Sequence, residues 1–423
     1  MSGKYKVLKV HKAKLEQVHS LQIKQAFTCR SLPVIISLIL NIRGMANIFD
    51  KILNLNIGGG GKSVVGIDIG SSAIKIVQIK KEKGKAVLEN YGELALGPTA
   101  GLEVGRATNL PPEKILGAIK DLLQETKINA TYGAVSIPLS ASLLSIIEMP
   151  RLDKKKLEAM IPLEARKYIP VPISEVLLDW WVMPERNSDL EETGEKPAEA
   201  GETKVKNTLE VLVAAIHNEA VNKYQALRTG AGLSPALFEI EIFSTIRAVI
   251  GHDLAPIMIL DMGAGSTKLA MIEYGVIRNS PHIINMGSQD ITLALSNALG
   301  ITVAEAEQLK RESGLSPKSV NGKNVNDIIS LTLDNIFGEA KRVLINYQKR
   351  YNKTVSKIVL TGGGVLLKGL PAIATKNFEA EVVLGDPFSK VDAPAFLGST
   401  LKENGPEFAV AIGLALKAMR ENE

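Results

Sequence analysis

Val64-Val65-Gly66-Ile67-Asp68-Ile69-Gly70-Ser71-Ser72-Ala73-Ile74-Lys75-Ile76-Val77 reads as an apolar strand closed by an aspartate, a glycine–serine turn and a second strand running back. The chain repeats the pattern at Ile257-Met258-Ile259-Leu260-Asp261-Met262-Gly263-Ala264-Gly265-Ser266-Thr267-Lys268-Leu269-Ala270. Laid over each other, Asp68 meets Asp261, Gly70 meets Gly263 and Lys75 meets Lys268, with apolar residues between them in both copies. Two acidic strand–turn–strand units at identical internal spacing predict two related lobes that face one site.

A phosphate chain needs backbone N–H groups presented together, with no side chain blocking the approach. The turns Gly70-Ser71-Ser72 and Gly263-Ala264-Gly265-Ser266-Thr267 offer that, with hydroxyls as added donors. Asp68 and Asp261 repel phosphate, so their expected work is to hold the waters of a Mg²⁺ ion that bridges the phosphates. One such hairpin alone reads equally well as a simple turn; the pair reads as a nucleotide–Mg²⁺ clamp. Lys357 to Thr361 is a strand running into Gly362-Gly363-Gly364, where the backbone can lie against a flat ligand such as adenosine. Its plainer alternative is a crowded strand-to-helix turn. Glu307 and Lys310 lie one turn apart on a helix face, placed either to reach ribose and adenine or to form an exposed ion pair. Lys75 and Lys268 are candidate phosphate contacts, or else lysines on an exposed strand face.

Composition narrows the alternatives. The 423 residues, 45% of them hydrophobic, suit two or three folded soluble domains. A net charge of +5 with 4% aromatics, not interleaved with Lys or Arg, does not suggest single-stranded nucleic-acid binding. The single cysteine, Cys29, rules out an internal disulfide and a cysteine-based metal cluster. His11, His19, His217, His252 and His282 include no pair at metal-ligand spacing. A reducing cytoplasm is the expected home. The apolar run Leu32 to Ile42 falls short of the roughly 20 residues that span a bilayer. Residues 1–44 read as an extension outside the folded body, with translation expected to start at Met45. Ile48, Phe49, Ile52 and Leu53 then share one face of a short helix. Gly58-Gly59-Gly60-Gly61-Lys62-Ser63 imitates a phosphate-binding P-loop, but Asn56 stands where a glycine is needed and a strand follows instead of a helix. It reads as a linker.

In chain order, strands over 64–69, 74–80 and 86–96 form a meander, and a helix opened by Pro111-Pro112 carries Ile115, Leu116, Ile119, Leu122 and Leu123 as a core stripe. Another strand follows at 132–138. Residues 140–232 read as an inserted β-α-β-β-α module. Within it Asp153 caps a helix buried through Leu157, Met160, Ile161 and Ala165, and Asn218 caps the last helix. The acidic, apolar-poor stretch Glu185 to Lys206 reads as a disordered loop. Thr302 to Glu305 is a capping box, a long amphipathic helix spans 327–351, and Ala409 to Met419 is the closing helix.

Two phosphate hairpins, a triple-glycine turn and a closing helix, in that order, resemble the actin-like ATPase superfamily. Within it the chain resembles the PilM family of type IV pilus assembly proteins, which is related to FtsA. The resemblance implies an α/β, ribonuclease-H-like fold of two lobes, with a first lobe over 63–139 and 233–256. It places a PilM/FtsA-type 1C insert at 140–232 and a second lobe over 257–423, with a small helical part near 300–350. It implies ATP and Mg²⁺ as ligands, with Asp68 and Asp261 flanking the metal. Ser71, Ser72, Gly265, Ser266 and Thr267 would meet phosphates, and Gly362 to Gly364 would meet adenosine. Ala306-Glu307-Gln308-Leu309-Lys310 is similar to the Ala-Glu-x-x-Lys helix of bacterial actins. Glu241 falls where a Glu-Pro pair holds the attacking water in some relatives, with Ile242 in place of the proline. The family implies at most slow hydrolysis, and a peptide of the inner-membrane protein PilN as a partner bound at the insert. It also implies pilus motor proteins as partners, with self-association and an FtsA-like polymerising role or a small-molecule kinase as other outcomes.

Overall fold

The computed structural model describes residues 62–184, 208–234, 236–251, 253 and 255–422. The leader, the helix expected from Met45, most of the Gly58–Ser63 linker and the 185–206 loop lie outside them.

The first sheet is built on the hairpin β1 (Val64–Ile69) and β2 (Ala73–Glu82), extended by β3 (Lys85–Ala95). Helix α1 (Pro112–Glu125) follows and buries Ile115, Ile119 and Leu122, while Leu116 and Leu123 lie at its edge. Strand β4 (Tyr132–Ile137) then pairs parallel with β1. The chain next leaves the sheet for the inserted module. This comprises β5 (Ser142–Pro150), α2 (Lys154–Ala165), β6 (Val176–Val182), β7 (Thr208–His217) and α3 (Asn218–Gly230). It rejoins at β8 (Ala236–Ile240), which pairs parallel with β4.

Period-two alternation along β7 joins the module to the lobe. Val211, Val213 and Ala215 pack with Leu157 and Ile161 of α2, while Leu212, Ala214 and Ile216 enter the core of the first lobe. Two expectations fail here. Met160 is 40% exposed, because the buried stripe of α2 is Leu157, Ile161 and Ala165. Asn218 does not cap α3: it is the first helical residue, and its amide donates to the Ser174 carbonyl at 2.9 Å. Asp153 does cap α2, accepting the Lys156 N–H at 3.0 Å.

Helix α4 (Glu241–Val249) carries the chain to the second sheet. That sheet starts from the hairpin β9 (Ile257–Met262) and β10 (Thr267–Glu273), with β11 (Val276–Ile277) and β12 (His282–Ile284) beside β10. Helices α5 (Ser288–Leu299) and α6 (Val303–Ser313), the small hairpin β13 (Ser319–Val320) and β14 (Lys323–Asn324), and α7 (Val325–Tyr351) come next. The sheet is completed by β15 (Lys357–Thr361), α8 (Leu370–Phe378) and β16 (Glu381–Leu384). The main path β11-β10-β9-β15-β16 repeats the first sheet's β3-β2-β1-β4-β8, with an antiparallel hairpin followed by two parallel additions.

The chain then returns to the first lobe through α9 (Gly398–Asn404) and α10 (Ala409–Glu421). The expectation that everything after residue 257 belongs to the second lobe is therefore corrected. Phe388, Leu401, Phe408 and most of α10 pack against Val64, Val77 and Ile79 of the first sheet. The packing is close because Gly66 carries no side chain: a Cβ there would lie 2.0 Å from the Ala411 carbonyl oxygen. Ile412, Leu414 and Phe408 are fully buried, each worth about 1.5–3 kcal/mol against exposure. A buried ionic knot ties α10 to α4. Glu239 accepts from Arg247 at 2.6 and 2.7 Å and from Lys417 at 3.2 Å, so its carboxyl stays below the usual range despite burial.

Candidate functional site

Both candidate phosphate turns are closed by the same bond, from the glycine N–H to the carbonyl three residues on. Gly70 donates to Ala73 at 3.0 Å and Gly263 to Ser266 at 2.9 Å. In each hairpin the aspartate stands opposite its lysine, Asp68 against Lys75 and Asp261 against Lys268. The turn carbonyls are engaged by backbone donors: the Leu96 N–H donates to that of Ser72, and the Ser288 and Gln289 N–H groups, opening α5, donate to those of Gly263 and Ala264.

Between the lobes lies a cavity of about 530 Å³, within the range of small-ligand sites. Its walls include Asp68, Gly70, Ser71, Ser72 and Lys75 from the first hairpin and Asp261, Gly263, Gly265, Ser266 and Lys268 from the second. Glu241, Glu307, Lys310 and Gly362 to Gly364 complete the set expected from sequence. Thr267 is the exception. It is fully buried beneath its turn, and its hydroxyl donates to the Met286 carbonyl at 2.8 Å.

The glycine turn splits the two readings made of it. Gly362 has φ +86°, and a Cβ there would sit 2.4 Å from an Asp261 carboxylate oxygen; one on Gly364 would meet the Met262 side chain at 2.5 Å. Those two glycines are required by packing against the second hairpin. Gly363 has room, its nearest neighbour being Glu407 at 3.6 Å, and it faces the cavity.

Charge is concentrated on the cavity floor. Burial pushes the Asp68 carboxyl up to about 6, reinforced by Glu241 and opposed by Lys75 and Lys268, while Ser136 donates to its Oδ1 at 3.0 Å. Burial likewise raises Asp261, against the pull of Lys268. For both lysines burial disfavours the charge, but the surrounding carboxylates more than compensate and the ammonium is held more firmly than usual. Lys268 lies 2.7 Å from Glu241, whose other oxygen accepts the Leu139 N–H at 2.7 Å. Lys75 lies 3.1 Å from Glu93 and 3.9 Å from Glu407. Burial lifts Glu407 to about 7, with Lys75 acting against the rise.

On α6, Glu307 and Lys310 pair at 2.7 Å and line the cavity, and the pair is buried rather than exposed. Glu307 also accepts from Arg311 and from Thr292, each at 2.6 Å. Burial works to raise its carboxyl, but these partners, Lys310 foremost, hold it below the usual range; burial lowers Lys310.

Sequence reading missed Glu93, Glu407, Val104, Gly105 and Arg311, all of which line the cavity. Glu93 was hidden by a register shift between Gln78 and Ile79: it stands opposite Lys75 on β3, where a hairpin extended without the shift would have put Gly92. Glu407 offers no signal, because only the return of the chain to the first lobe brings it near Lys75.

Comparison with known proteins agrees with this construction. The family model described as type IV pilus assembly protein PilM matches residues 66–419. The solved structure of a PilM–PilN type IV pilus biogenesis complex superposes with a TM-score of 0.68 at 26% identity, covering 84% of this chain and 98% of that one. The cell division protein FtsA of Neisseria meningitidis serogroup B is 26% identical over 379 residues, 82% of this chain and 88% of its own length. FtsA of Escherichia coli K12 is 20% identical over 387 residues, covering 84% and 89% respectively. The doubled sheet with its inserted module is the two-lobed, actin-like α/β architecture.

Proposed function

This chain belongs to the type IV pilus assembly protein PilM family, and we propose that it is an ATP-binding scaffold of the pilus machine whose nucleotide state sets its affinity for a PilN-type partner. The observation that carries the nucleotide half is the pair of matched Asp–Lys hairpins, closed by the same hydrogen bond and facing one cavity. The partner half is supported by the superposition on a PilM–PilN complex. No described helix is long and apolar enough to cross a membrane, so the proposed place, in the cytoplasm against the inner membrane, is reached through partners.

The donor set fits a divalent cation. Burial raises the carboxyls of Asp68 and Asp261, and the nearby Lys75 and Lys268 offset that rise only in part. Among the described residues no group of three or more His, Cys, Asp or Glu is placed to hold a metal unaided. Mg²⁺ would therefore draw on these two carboxylates, water and phosphate oxygens, and would neutralise the phosphate charge. Ser71, Ser72, Gly265 and Ser266 would donate to phosphates, Gly363 would give the adenosine a side-chain-free wall, and Glu307 with Lys310 would meet the ribose and base. Each oxygen of Glu241 already accepts one hydrogen bond, from the Leu139 N–H and from Lys268, and at most slow hydrolysis is part of this proposal.

The test is the affinity of a synthetic peptide from the cytoplasmic N-terminus of PilN, measured with no nucleotide, with ADP and with ATP, all in Mg²⁺. A difference of several-fold between ATP and nucleotide-free protein is expected. Equal affinities in all three conditions would reject the coupling.

A further inference from the structure

The segment joining β3 to α1, residues 96–111, contributes Pro98, Val104 and Gly105 to the cavity wall. We infer that it is a strap that pins the two phosphate turns to each other, and that Gln289 is the positioning residue which keeps it shut and thereby sets how long a nucleotide stays bound. The inference rests on the cavity being a nucleotide site.

Hydrogen bonds trace the connection without a break. Thr108 donates to the Ser71 carbonyl of the first turn through both its N–H, at 2.8 Å, and its hydroxyl, at 2.9 Å. The next residue back, Ala107, donates its N–H to the Gln289 side-chain oxygen at 3.1 Å. Gln289 in turn donates its own N–H to the Ala264 carbonyl of the second turn at 3.0 Å. The first-lobe turn, the strap and the second-lobe turn are thus one hydrogen-bonded chain, in which the Gln289 side chain links strap to second lobe.

Steric fit supports the same picture. A Cβ on Gly265 of the second turn would lie 3.3 Å from the Ala107 methyl, so strap and turn are in contact. Gly105 has φ +91°, and a Cβ on it would meet the Glu307 carboxylate at 2.8 Å, so the strap lies directly on the helix expected to hold the ribose. Val104 and Gly105 are themselves part of the cavity wall. A ligand between the turns is therefore roofed by a first-lobe segment fastened to the second lobe, and it cannot leave along that side until the fastening opens.

One neutral hydrogen bond is worth a few-fold to about tenfold in an equilibrium. Gln289→Ala leaves both turns, both aspartates and the strap sequence intact. Stopped-flow release of a fluorescent ATP analogue in Mg²⁺, chased with excess ATP, is expected to be about fivefold faster than in wild type. Amide exchange of strap residues in nucleotide-free protein should accelerate alongside. Gly105→Ala, which strains the strap at its contact with Glu307, is expected to act in the same direction, and thermal melting of each variant reports whether the fold is kept. Unchanged release and unchanged strap exchange in a folded Gln289→Ala protein would overturn the strap while leaving the nucleotide site standing. Failure of wild type to bind the analogue at all would remove the site, and the strap's proposed role with it.

Discussion

The two hairpins share sequence spacing, backbone closure and an Asp–Lys pairing, yet they are held differently. Lys268 in the second lobe is gripped at 2.7 Å by Glu241, the residue that opens α4 as the chain leaves the first lobe. Lys75 in the first lobe reaches Glu407, which lies just before α10 as the chain comes back, but only at 3.9 Å, and Glu93 on its own sheet is nearer at 3.1 Å. Each hairpin's lysine thus touches a glutamate on a crossing between lobes, tightly on one side and loosely on the other. The tight side reads as a fixed hinge. On the loose side burial lifts Glu407 to about 7, and under the proposed function this is where a bound phosphate would change the partner of a lysine.

The backbones differ as sharply. Gly66 occupies the place in the first hairpin that Ile259 takes in the second, because α10 presses on the first sheet there, whereas Ile259 is itself core. Exchanging them should produce the largest effects. Gly66→Ile, by driving a side chain into the Ala411 backbone, is expected to abolish cooperative folding or cost about 3 kcal/mol or more; Ile259→Ala should cost about 2–5 kcal/mol. Urea unfolding followed by circular dichroism measures both.

Removing the lysines sharpens the contrast in grip. Lys268→Met strands a buried Glu241 and is expected to cost about 3–5 kcal/mol in the same unfolding assay, because breaking one side of a buried pair leaves an uncompensated charge. Lys75→Met leaves Glu93 and Glu407 nearer to solvent and should cost clearly less. Equal losses would erase the proposed difference between hinge and switch.

Protonation gives a smaller effect with a definite sign. Asp68 has a raised carboxyl in the fold, so its contribution to the stability of the nucleotide-free protein is present at acid pH and is lost as pH rises through about 6. Cation-dependent nucleotide binding needs the ionised form and should weaken as pH falls below about 6. Asp68→Asn should remove the Asp68 part of both trends, making the nucleotide-free protein no less stable at pH 8 while binding less in Mg²⁺. Melting curves and binding isotherms across pH 5–8 check this.

The smallest effect is expected from Thr267→Val, which loses a buried hydrogen bond to Met286 and about 1 kcal/mol of stability but leaves nucleotide affinity within twofold. The equivalent position in the first hairpin is Ile74, so both lobes bury the side chain at this place.

Much of this was legible in the residues. Apolar runs interrupted by the Asp-x-Gly turns marked both hairpins, and the Thr302–Glu305 capping box marked the start of α6. What was hidden has a common physical cause. Helix α10 is buried on nearly every face, so it lacks the apolar stripe that would point to a partner, and its return to the first lobe could not be read. Glu407 and the strap acquire their meaning only from that return and from the apposition of the lobes. Thr267 was misplaced because a turn's spacing gives no hint of which hydroxyl points beneath it.

The nucleotide clamp is tested most directly by titration calorimetry of ATP in Mg²⁺ against wild type, Asp68→Ala and Asp261→Ala, each shown to be folded. Wild type should bind one ATP per chain, and each single variant should lose at least tenfold in affinity, since both hairpins hold the same ligand. Wild-type affinity retained in both variants, or no binding by wild type, would contradict the clamp.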